Sequence, residues 1–296
     1  YTTSLLEYAE ADGRIHAAFL QVNAASGRYT SREPNFQNLP RDSKLFDIRS
    51  AFIPDPGHVF VVYDFVQMEF KLAAAYSQDP LLVAAANDPE MDVHSATARA
   101  IFGLREDQEV ESVQRQAAKT ITFAILYGIT PYGLARQLQC SEDRAKFFIK
   151  KFYQQYQGLK RWINETRQLI RQQGYVETYY GRRRWADMDK VMNPVEEIRD
   201  GEFRKLANTV IQGSGADFTK IAMKQSDKAF REEGLDAEIV GQIHDELVVL
   251  CPEGQADRVE KILEVCMTQE IHRPPTHLSV KLPVDGKIKL SLSKSA

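Results

Sequence analysis

The order of apolar and polar positions divides the chain into two regions of mixed structure with a helical region between them. Residues 1–80 contain one strand candidate, HVFVVYDF at 58–65, after a loop rich in Asn, Ser and Pro. Residues 81–174 show the periodicity of consecutive helices, and residues 175–296 alternate strand and helix patterns. This order predicts an α+β fold in which strands flank one inserted helical subdomain.

Local end signals sharpen two helices of the middle region. In SEDRAKFFIKKFYQQY we expect Ser141 to be the N-cap, because acidic residues follow in the first turn. The next helix, GLKRWINETRQLIRQQG, is expected to stop at Gly174. The last region predicts, in order, a strand YVETYY, a long helix from about 195 to 233, a hairpin around 237–250, a helix from about 255 to 270 and a closing strand pair near VKLPVDGKIKL.

Two strand candidates carry carboxylates at unexpected places. QIHDELVVL, residues 242–250, looks like one buried strand interrupted by His244, Asp245 and Glu246, and the strand at 58–65 also presents an acid, Asp64. Burying a carboxylate is costly unless it is paired or holds a metal. If the strands are neighbours, Asp64 and Asp245 can share Mg²⁺, which prefers such oxygen ligands. The alternative, that each acid marks a strand end at the surface, stays open on this pattern alone.

The stretch RQAAKTITFAILYG, residues 115–128, predicts a helix with one chemically unusual face. Arg115, Lys119, Phe123 and Tyr127 recur every four residues and spread over roughly 120° of a helix. Two cations followed by two rings match a nucleotide, with phosphates at one end and a base at the other. The expected apolar anchor on the other side is Ala118, Ile121 and Ile125. Basic residues extending from an amphipathic helix with aromatics in the core would give the same spacing.

Composition is that of an ordinary soluble globular protein. The 296 residues are 43% hydrophobic and 27% charged. No apolar run reaches the ~18–20 residues that a membrane helix needs, and no signal-peptide pattern opens the chain. The three scattered cysteines fit neither a disulfide framework nor a C-x-x-C metal site, which favours a reducing compartment.

Charge is distributed unevenly along the chain. The net charge is −3, but residues 141–184 contain eleven Lys and Arg against four acids, a local charge of +7. A basic block on an otherwise acidic protein can be a footprint for a polyanion such as nucleic acid. A pair of helices with solvated charged faces explains the same block equally well.

Five motifs, in a shared order and spacing, resemble one enzyme family. RQAAKTITFAILYG resembles the R-x-x-x-K-x-x-x-F-x-x-x-Y-G motif of the fingers helix in family A DNA polymerases, the bacterial DNA polymerase I group. DFVQMEFKLAA (64–74) is similar to that family's first catalytic motif, D-Y-S-Q-I-E-L-R, and QIHDELVVL to its third, Q-V-H-D-E-L-V. SGRYTSREPNFQNLP (26–40) and DVHSATARAIFG (92–103) also fit. The resemblance runs from about Gly13 to the C terminus.

The resemblance implies a polymerase palm, an antiparallel sheet with helices, into which an all-helical fingers subdomain is inserted. The palm would comprise residues 1–80 and 175–296, and the fingers residues 81–174. It also implies two Mg²⁺ ions, with Mn²⁺ as a substitute, bound by Asp64, Asp245 and the backbone carbonyl of Phe65. Glu246 would lie beside this site as a weaker candidate for direct ligation.

Further roles are implied residue by residue. Lys119 would bind the triphosphate and donate a proton to the leaving pyrophosphate, and Glu69 would exclude a ribose 2′-OH by steric crowding. The positions that match the family's nucleotide contacts are Gln67, Glu69, His94, Arg115, Lys119, Phe123 and Tyr127. The positions that match its DNA contacts are Arg28, Arg204, Asn208, Gln212 and His244.

The chain departs from the family pattern at two positions and in extent. Val66 and Lys71 replace the usual Ser and Arg of the first motif, which we expect to affect primer handling or fidelity rather than activity. The family's thumb, and in many members an exonuclease domain, do not fit before residue 13 and are expected upstream. This fragment alone should therefore bind primer–template weakly.

The leading functional hypothesis is a DNA-directed DNA polymerase that adds dNTPs to a primer 3′ end by two-metal-ion nucleotidyl transfer and releases pyrophosphate. Its partners would be primer–template DNA and dNTPs. We expect a cytoplasmic monomer of bacterial or viral origin that makes no membrane contact, with an organellar origin also open. The alternative is a catalytically silent primer–template binding fragment. An RNA-copying or ribonucleotide-adding variant is disfavoured by Glu69.

Overall fold

A computed structural model describes residues 5–9, 12–39, 47–272 and 279–293, without the side chain of His272. The α-helices of these residues are α1 (Met68–Ser77), α2 (Pro80–Asn87), α3 (Val93–Phe102), α4 (Ser112–Leu126), α5 (Pro131–Leu138), α6 (Glu142–Gln155), α7 (Gln157–Gln173), α8 (Met188–Val191), α9 (Glu196–Glu232) and α10 (Ala256–Met267). The strands are β1 (Ala18–Leu20), β2 (Thr30–Arg32), β3 (His58–Phe65), β4 (Tyr175–Glu177), β5 (Arg183–Trp185), β6 (Glu238–Ile243), β7 (Glu246–Pro252), β8 (Gln269–His272), β9 (Ser279–Leu282) and β10 (Val284–Lys289).

The elements with clear local signals form where the sequence predicts them. The strand at 58–65 is confirmed as β3, and the long helix is confirmed as α9. The Ser141 side chain caps α6 by accepting a hydrogen bond from Arg144 N at 3.3 Å. Gly174, with φ +77°, ends α7 in the left-handed conformation that glycine adopts without strain.

The chain forms two compact units. The first comprises Tyr1–Val66, Gly215–Gln269 and Leu282–Ala296, and the second comprises Gln67–Ser214 and Glu270–Lys281. The long helix α9 contributes residues to both. These bounds differ from the palm and fingers bounds at residues 80 and 174, which therefore stay a prediction about subdomains.

The first unit contains a four-stranded antiparallel sheet with strand order β10-β3-β7-β6. Side chains alternate between the faces of a strand, and β3 is apolar on both. One face carries a core cluster formed by Phe60, Val62, Ile243, Val248 and Leu292. Helix α10 packs against β3, β7 and β10. Burial on both faces explains why β3 is a continuous apolar run rather than an alternating one.

Two strand predictions in this region are wrong in detail. The hairpin predicted around 237–250 is confirmed, but the interpretation of QIHDELVVL as one strand is wrong, because β6 ends at Ile243 and β7 begins at Glu246. The expected closing pair near VKLPVDGKIKL also differs, since β10 pairs with β3 whereas β9 pairs with β8. Pro283 separates β9 from β10, and proline has no N–H for a strand ladder. Its carbonyl instead accepts a hydrogen bond from Val66 N at 3.0 Å.

The second unit is mainly helical, and a buried hydroxyl joins three of its elements. Ser214 Oγ in α9 donates to the Val210 carbonyl at 2.6 Å and lies 2.7 Å from the Tyr76 hydroxyl of α1. The same oxygen accepts a hydrogen bond from Tyr179 N at 2.9 Å, in the turn between β4 and β5. All the hydrogen-bonding capacity of this buried hydroxyl is therefore used, which favours a single packing of these elements.

Lys71, one of the two departures from the family motif, has an internal contact. Its side chain is buried, and Nζ donates a hydrogen bond to the Ala86 carbonyl in the last turn of α2. Burial lowers the pKa of Lys71 below its usual value. A cation at a helix C terminus is favoured by the helix dipole, so Lys71 joins α1 to α2.

None of the helices in the described residues has the length and apolarity that a bilayer crossing requires.

Candidate functional site

The expected metal-binding acids lie at one end of two paired strands. β3 and β7 are antiparallel neighbours, and Asp64 stands opposite Glu246 in their register. Phe65 N donates a hydrogen bond to the Asp245 carbonyl at 3.3 Å. The backbones of Asp64 and Asp245, which are 181 positions apart in the sequence, are thereby brought together in the first unit.

His244 and Asp245 form the two-residue turn of the β6–β7 hairpin, because Ile243 pairs with Glu246. His244 is exposed and has φ +59°. Residues other than glycine seldom adopt this left-handed region, and positive φ at the first turn position suits the twist of a hairpin. The acids therefore sit in and beside a tight turn rather than inside a buried strand.

Buried amides hold this turn in place. The Gln242 side chain, only 5% exposed, donates a hydrogen bond to the His244 carbonyl. Gln37 Nε2 in turn donates to the carbonyl of Gln242 at 3.1 Å and to its Oε1 at 2.9 Å. Neither Gln37 nor Gln242 was predicted as a site residue, although both occur inside motifs that carried the family resemblance.

Negative charge is concentrated where these strands end. β10 places Asp285 opposite Asp64, on the side away from Glu246. Like charges directly opposite one another in an antiparallel sheet are destabilising. One compensating cation is Arg28, whose Nη2 lies 3.4 Å from Asp245 Oδ1. A row of three carboxylates across three strands favours the binding of further positive charge.

The chemistry of these donors fits Mg²⁺. Mg²⁺ prefers oxygen ligands and usually takes one or two protein carboxylates, completing its shell with water and substrate phosphates. Asp64 and Asp245 supply two carboxylates of this kind. Among the residues that the structure describes, no group of three or more His, Cys, Asp or Glu is arranged to hold a metal by itself.

The second unit presents the cation-and-ring face on α4. Ala118, Ile121 and Ile125 are buried, so the predicted apolar anchor is confirmed. Arg115 and Lys119 are exposed, and Phe123 is half-buried. The helix ends at Leu126, however, so Tyr127 is its C-cap and not a residue within the helix. Gly128, the next residue, has φ +72°, a left-handed conformation that does not continue the helix.

An aspartate that the sequence reasoning missed binds the first of these cations. Arg115 Nε donates a hydrogen bond to Asp92 Oδ2 at 2.7 Å. Asp92 is also the N-cap of α3 and accepts hydrogen bonds from His94 N and Ser95 N, both at 3.2 Å. Burial acts to raise the pKa of Asp92, but hydrogen bonds from Arg115 and Ser95 outweigh it and hold that pKa well below 3.8. A helix-start signal could have identified the cap, but not its cationic partner.

His94 lies beside this ion pair and is buried in the second unit. Its ring centroid is 5.9 Å from that of Phe123. Burial lowers the pKa of His94 below its usual value, and the positive charges of Arg115 and Lys119 lower it further against the opposing charge of Asp92, which favours the neutral ring. Nδ1 is buried and has no hydrogen-bond partner among the described residues. The unit thus holds a neutral imidazole next to two cations.

Gln67 and Glu69 lie at the start of α1. Gln67 is the N-cap in the left-handed conformation, with φ +52°, and its carbonyl accepts a hydrogen bond from Lys71 N at 3.1 Å. Glu69 is half-buried in the first turn of the helix. A carboxylate is stabilised at this position because the helix N terminus carries partial positive charge.

Arg204, Asn208 and Gln212 follow one another at successive turns of α9, and each is partly exposed. Asn208 Nδ2 donates to the Tyr127 carbonyl at 2.7 Å. A Cβ on Gly128 would lie 3.1 Å from Cβ of Arg204. Two of the three expected DNA contacts therefore also support the C-terminal end of α4.

Comparison with known proteins gives one consistent result. The family model described as DNA polymerase family A matches residues 1–293. DNA polymerase I of Chloroflexus aurantiacus is 38% identical over 92% of this chain and 28% of its own length, and that of Caldicellulosiruptor bescii is 33% identical over 99% and 34%. The polymerase domain of Pol1 from M. smegmatis, solved with primer–template DNA and dNTP, superimposes with a TM-score of 0.86 at 32% identity. That match covers 98% of this chain and 50% of the solved chain. The chain thus spans about a third of the length of these curated relatives.

Proposed function

Since this chain belongs to DNA polymerase family A, we propose that it supplies the nucleotide-incorporating part of a DNA-directed DNA polymerase. The enzyme would add dNTPs to the 3′ end of a primer paired with a template and release pyrophosphate. The observation that carries this proposal is the proximity of Asp64, near the end of β3, to Asp245, in the turn that precedes the neighbouring strand β7. Names of relatives support it further, since each is a DNA polymerase I.

The acidic end of the sheet is the proposed metal site. Asp64, Asp245 and the Phe65 carbonyl would hold two Mg²⁺ ions, with Glu246 beside them. When bound, such ions lower the pKa of an attacking hydroxyl and stabilise charge on the leaving oxygen. The protein's own contribution is to fix the two carboxylates through the β3–β7 pairing and the turn held by Gln242.

The α4 face is the proposed nucleotide site. Arg115 and Lys119 would form charge-assisted hydrogen bonds to phosphate oxygens, and Lys119 would donate a proton to the departing pyrophosphate. His94, neutral and buried, would place its ring nitrogen against the triphosphate. Phe123 would pack against the sugar and base. Tyr127, at the C-cap, would occupy the space beside the templating base.

Two further groups of residues would select the substrate. Glu69, with Gln67 as its polar neighbour, would occupy the space that a ribose 2′-OH needs, so ribonucleotides are excluded by repulsion rather than by lost attraction. The DNA contacts would come from Arg28, Arg204, Asn208, Gln212 and His244. Contacts in the minor groove suit a general copying enzyme, because the acceptors there are nearly alike for all correct base pairs.

The decisive experiment is primer extension by the full-length protein with Mg²⁺ and dNTPs. Asp64→Asn keeps the shape of the side chain but removes its charge, and we expect extension to fall by about 10²-fold or more, in line with the loss of other electrostatic groups at active sites. The comparison variant is Asp285→Asn, which removes the same charge from the strand opposite Asp64. Because Asp285 is not a proposed metal ligand, this variant should lower the rate less than Asp64→Asn does. Equal losses in both variants would count against ligation by Asp64.

The binding-only alternative has a separate signature. A catalytically silent fragment would bind primer–template, but neither the unmodified protein nor any variant would incorporate nucleotide. Incorporation by the unmodified protein therefore excludes it. Intact DNA binding with no extension, at saturating Mg²⁺ and dNTPs, would instead overturn the polymerase proposal.

A further inference from the structure

One carboxylate in the second unit, that of Asp92, contacts a proposed triphosphate ligand, Arg115, and has no role among those that the family resemblance implies. Asp92 Oδ2 accepts a hydrogen bond from Arg115 Nε at 2.7 Å. The two residues lie 23 positions apart, at the start of α3 and in the first turns of α4. Their side chains are 39% and 47% exposed, so the pair is open to a ligand.

Asp92 is unusually well fixed for a surface carboxylate. Its Oδ1 accepts hydrogen bonds from His94 N and Ser95 N, and its Oδ2 accepts a further one from Ser95 Oγ at 2.6 Å. These contacts belong to the N-cap of α3, so the carboxylate is oriented by a helix end rather than by a mobile chain. Arg115 is therefore anchored to a rigid group.

The geometry of the pair determines what remains available on Arg115. A guanidinium has five N–H donors, one on Nε and four on the two Nη atoms. The hydrogen bond to Asp92 uses Nε, which leaves the Nη groups for the bidentate recognition of phosphate oxygens that arginine favours. A flexible arginine must lose side-chain entropy when it binds, and an anchored one has already lost much of it.

We propose that Asp92 is a positioning residue for nucleotide binding, which holds the Arg115 guanidinium through Nε so that its Nη groups face the triphosphate. The inference rests on the proposed function, because it requires Arg115 to be a phosphate ligand. Asp92 has two opposing effects on phosphate binding. Its negative charge repels phosphate, whereas its anchoring of Arg115 favours phosphate binding. The inference is that anchoring outweighs repulsion.

The alternative is that Asp92 competes with the nucleotide for Arg115. A competitor would be released when the triphosphate binds, and removing its charge would tighten nucleotide binding. A third reading is that Asp92 serves only as the N-cap of α3. The three readings predict different effects on the KM for dNTP, which makes them separable.

The experiment compares Asp92→Asn with Asp92→Ala in the full-length protein. Asn caps a helix about as well as Asp, so Asp92→Asn, which loses only the charge, should lower the thermal midpoint less than Asp92→Ala, which loses the cap as well. Both variants lose the charge-assisted hydrogen bond. We expect each to raise the KM for dNTP about 10-fold, the effect of losing a hydrogen bond to a charged group, with kcat changed by less than about 3-fold.

A matched control is Asp187→Asn. Asp187 is the N-cap of α8 and pairs with Lys190 at 2.5 Å, so it combines a cap with an ion pair as Asp92 does. Asp187 has no assigned role in substrate binding, so the KM and kcat of Asp187→Asn should match those of the unmodified protein. If KM rose in Asp187→Asn as well as in Asp92→Asn, the effect would be a general consequence of losing an acidic charge, and the proposal would be overturned.

The remaining outcomes are also decisive. An unchanged KM in Asp92→Asn overturns the positioning role and leaves only the cap, and a lowered KM shows competition instead. Failure of the polymerase proposal would appear differently, as absence of extension by the unmodified protein. If extension occurs and only the Asp92 prediction fails, the proposed function stands.

Discussion

Replacing Gly158 by Ala is expected to destabilise the second unit, because α7 meets the start of α2 closely at this residue. A Cβ on Gly158 would lie 2.6 Å from Cα and 2.9 Å from Oδ2 of Asp79. Asp79 is only 2% exposed. It caps α2 and accepts a hydrogen bond from Gly158 N at 2.7 Å. The added methyl group would push two backbones apart and stretch a buried charge-assisted hydrogen bond.

The size of the effect follows from three contributions. Overpacking of a tight interior contact costs about 1–3 kcal/mol, and weakening a hydrogen bond to a charged group costs up to about 1.5–3 kcal/mol. Ala is the better helix former by about 0.5–1 kcal/mol, which acts in the opposite direction. Because the hydrogen bond is stretched rather than removed, we expect a net loss of about 2–4 kcal/mol in the free energy of unfolding.

Urea unfolding followed by far-UV circular dichroism measures this loss. Gly201→Ala is the matched control, because Gly201 lies in α9 of the same unit and a Cβ there would find Arg204 Nη2 no nearer than 3.8 Å. With space available, this variant should gain about 0.5–1 kcal/mol from helix propensity. If Gly158→Ala were as stable as Gly201→Ala, the close approach to Asp79 could not be the determinant of packing here.

Glu69→Ala should relax the exclusion of ribonucleotides and raise the ratio of rNTP to dNTP incorporation about 10-fold or more, a loss of about 1.4 kcal/mol of discrimination; an unchanged ratio would remove Glu69 from the gate. Phe123→Tyr should increase incorporation of 2′,3′-dideoxynucleotides relative to dNTPs, as the resemblance implies, and no change in single-turnover assays would show that α4 does not lie over the sugar. The pKa of Asp92 is lower in the folded protein than its usual value of 3.8. Asp92 therefore contributes its full stabilisation above pH 3.8, and this stabilisation is lost as the pH falls further, because the unfolded state binds a proton that the folded state does not. The thermal midpoint of Asp92→Asn should therefore fall less steeply between pH 4 and pH 2 than that of the unmodified protein, and parallel curves would contradict the assignment.

Elements with local causes could be predicted from the sequence. Ser141 caps α6 and Gly174 ends α7 because the cap and the glycine act on neighbouring residues only. β3 could be predicted because its eight residues form a dense apolar run bounded by a turn. Helix α10 was predicted to end near residue 270 but ends at Met267, where β8 follows almost at once. The ends of elements are set by the strands and helices that they meet, which a local pattern does not contain.

The turn at His244 shows why one prediction was wrong. In QIHDELVVL, Asp245 is the only residue of a type that often occupies turns, and no Gly, Asn or Pro accompanies it. His244 nevertheless adopts φ +59°, and Gln242 and Gln37 hold the turn from positions 205 residues apart. The apolar residues on both sides are real strands, and the error lay in joining them. Only the contact with a distant glutamine distinguishes the two cases.

The sequence names candidate site residues, but it does not predict their electrostatic partners. Motif resemblance named Arg115 and Arg28 as ligands of substrates, and each has an acidic partner inside its own unit. Asp92 lies 23 residues from Arg115, and Asp245 lies 217 residues from Arg28. Neither separation corresponds to a helical or strand period, so no pattern of spacing could have paired them.

These two ion pairs differ in a way that predicts how each responds to substrate. The Arg28–Asp245 pair spans 3.4 Å, longer than a good N–H···O hydrogen bond. The Asp92–Arg115 pair spans 2.7 Å, the length of a strong charge-assisted bond. If Asp245 binds a metal ion and Arg28 binds DNA, as proposed, their ion pair should break when both bind. Arg115 can donate hydrogen bonds to phosphate through its Nη groups while Nε remains bonded to Asp92, so that pair should persist. In the proposed roles, the longer contact thus lies where partners are exchanged, and the shorter one where a side chain is held in place.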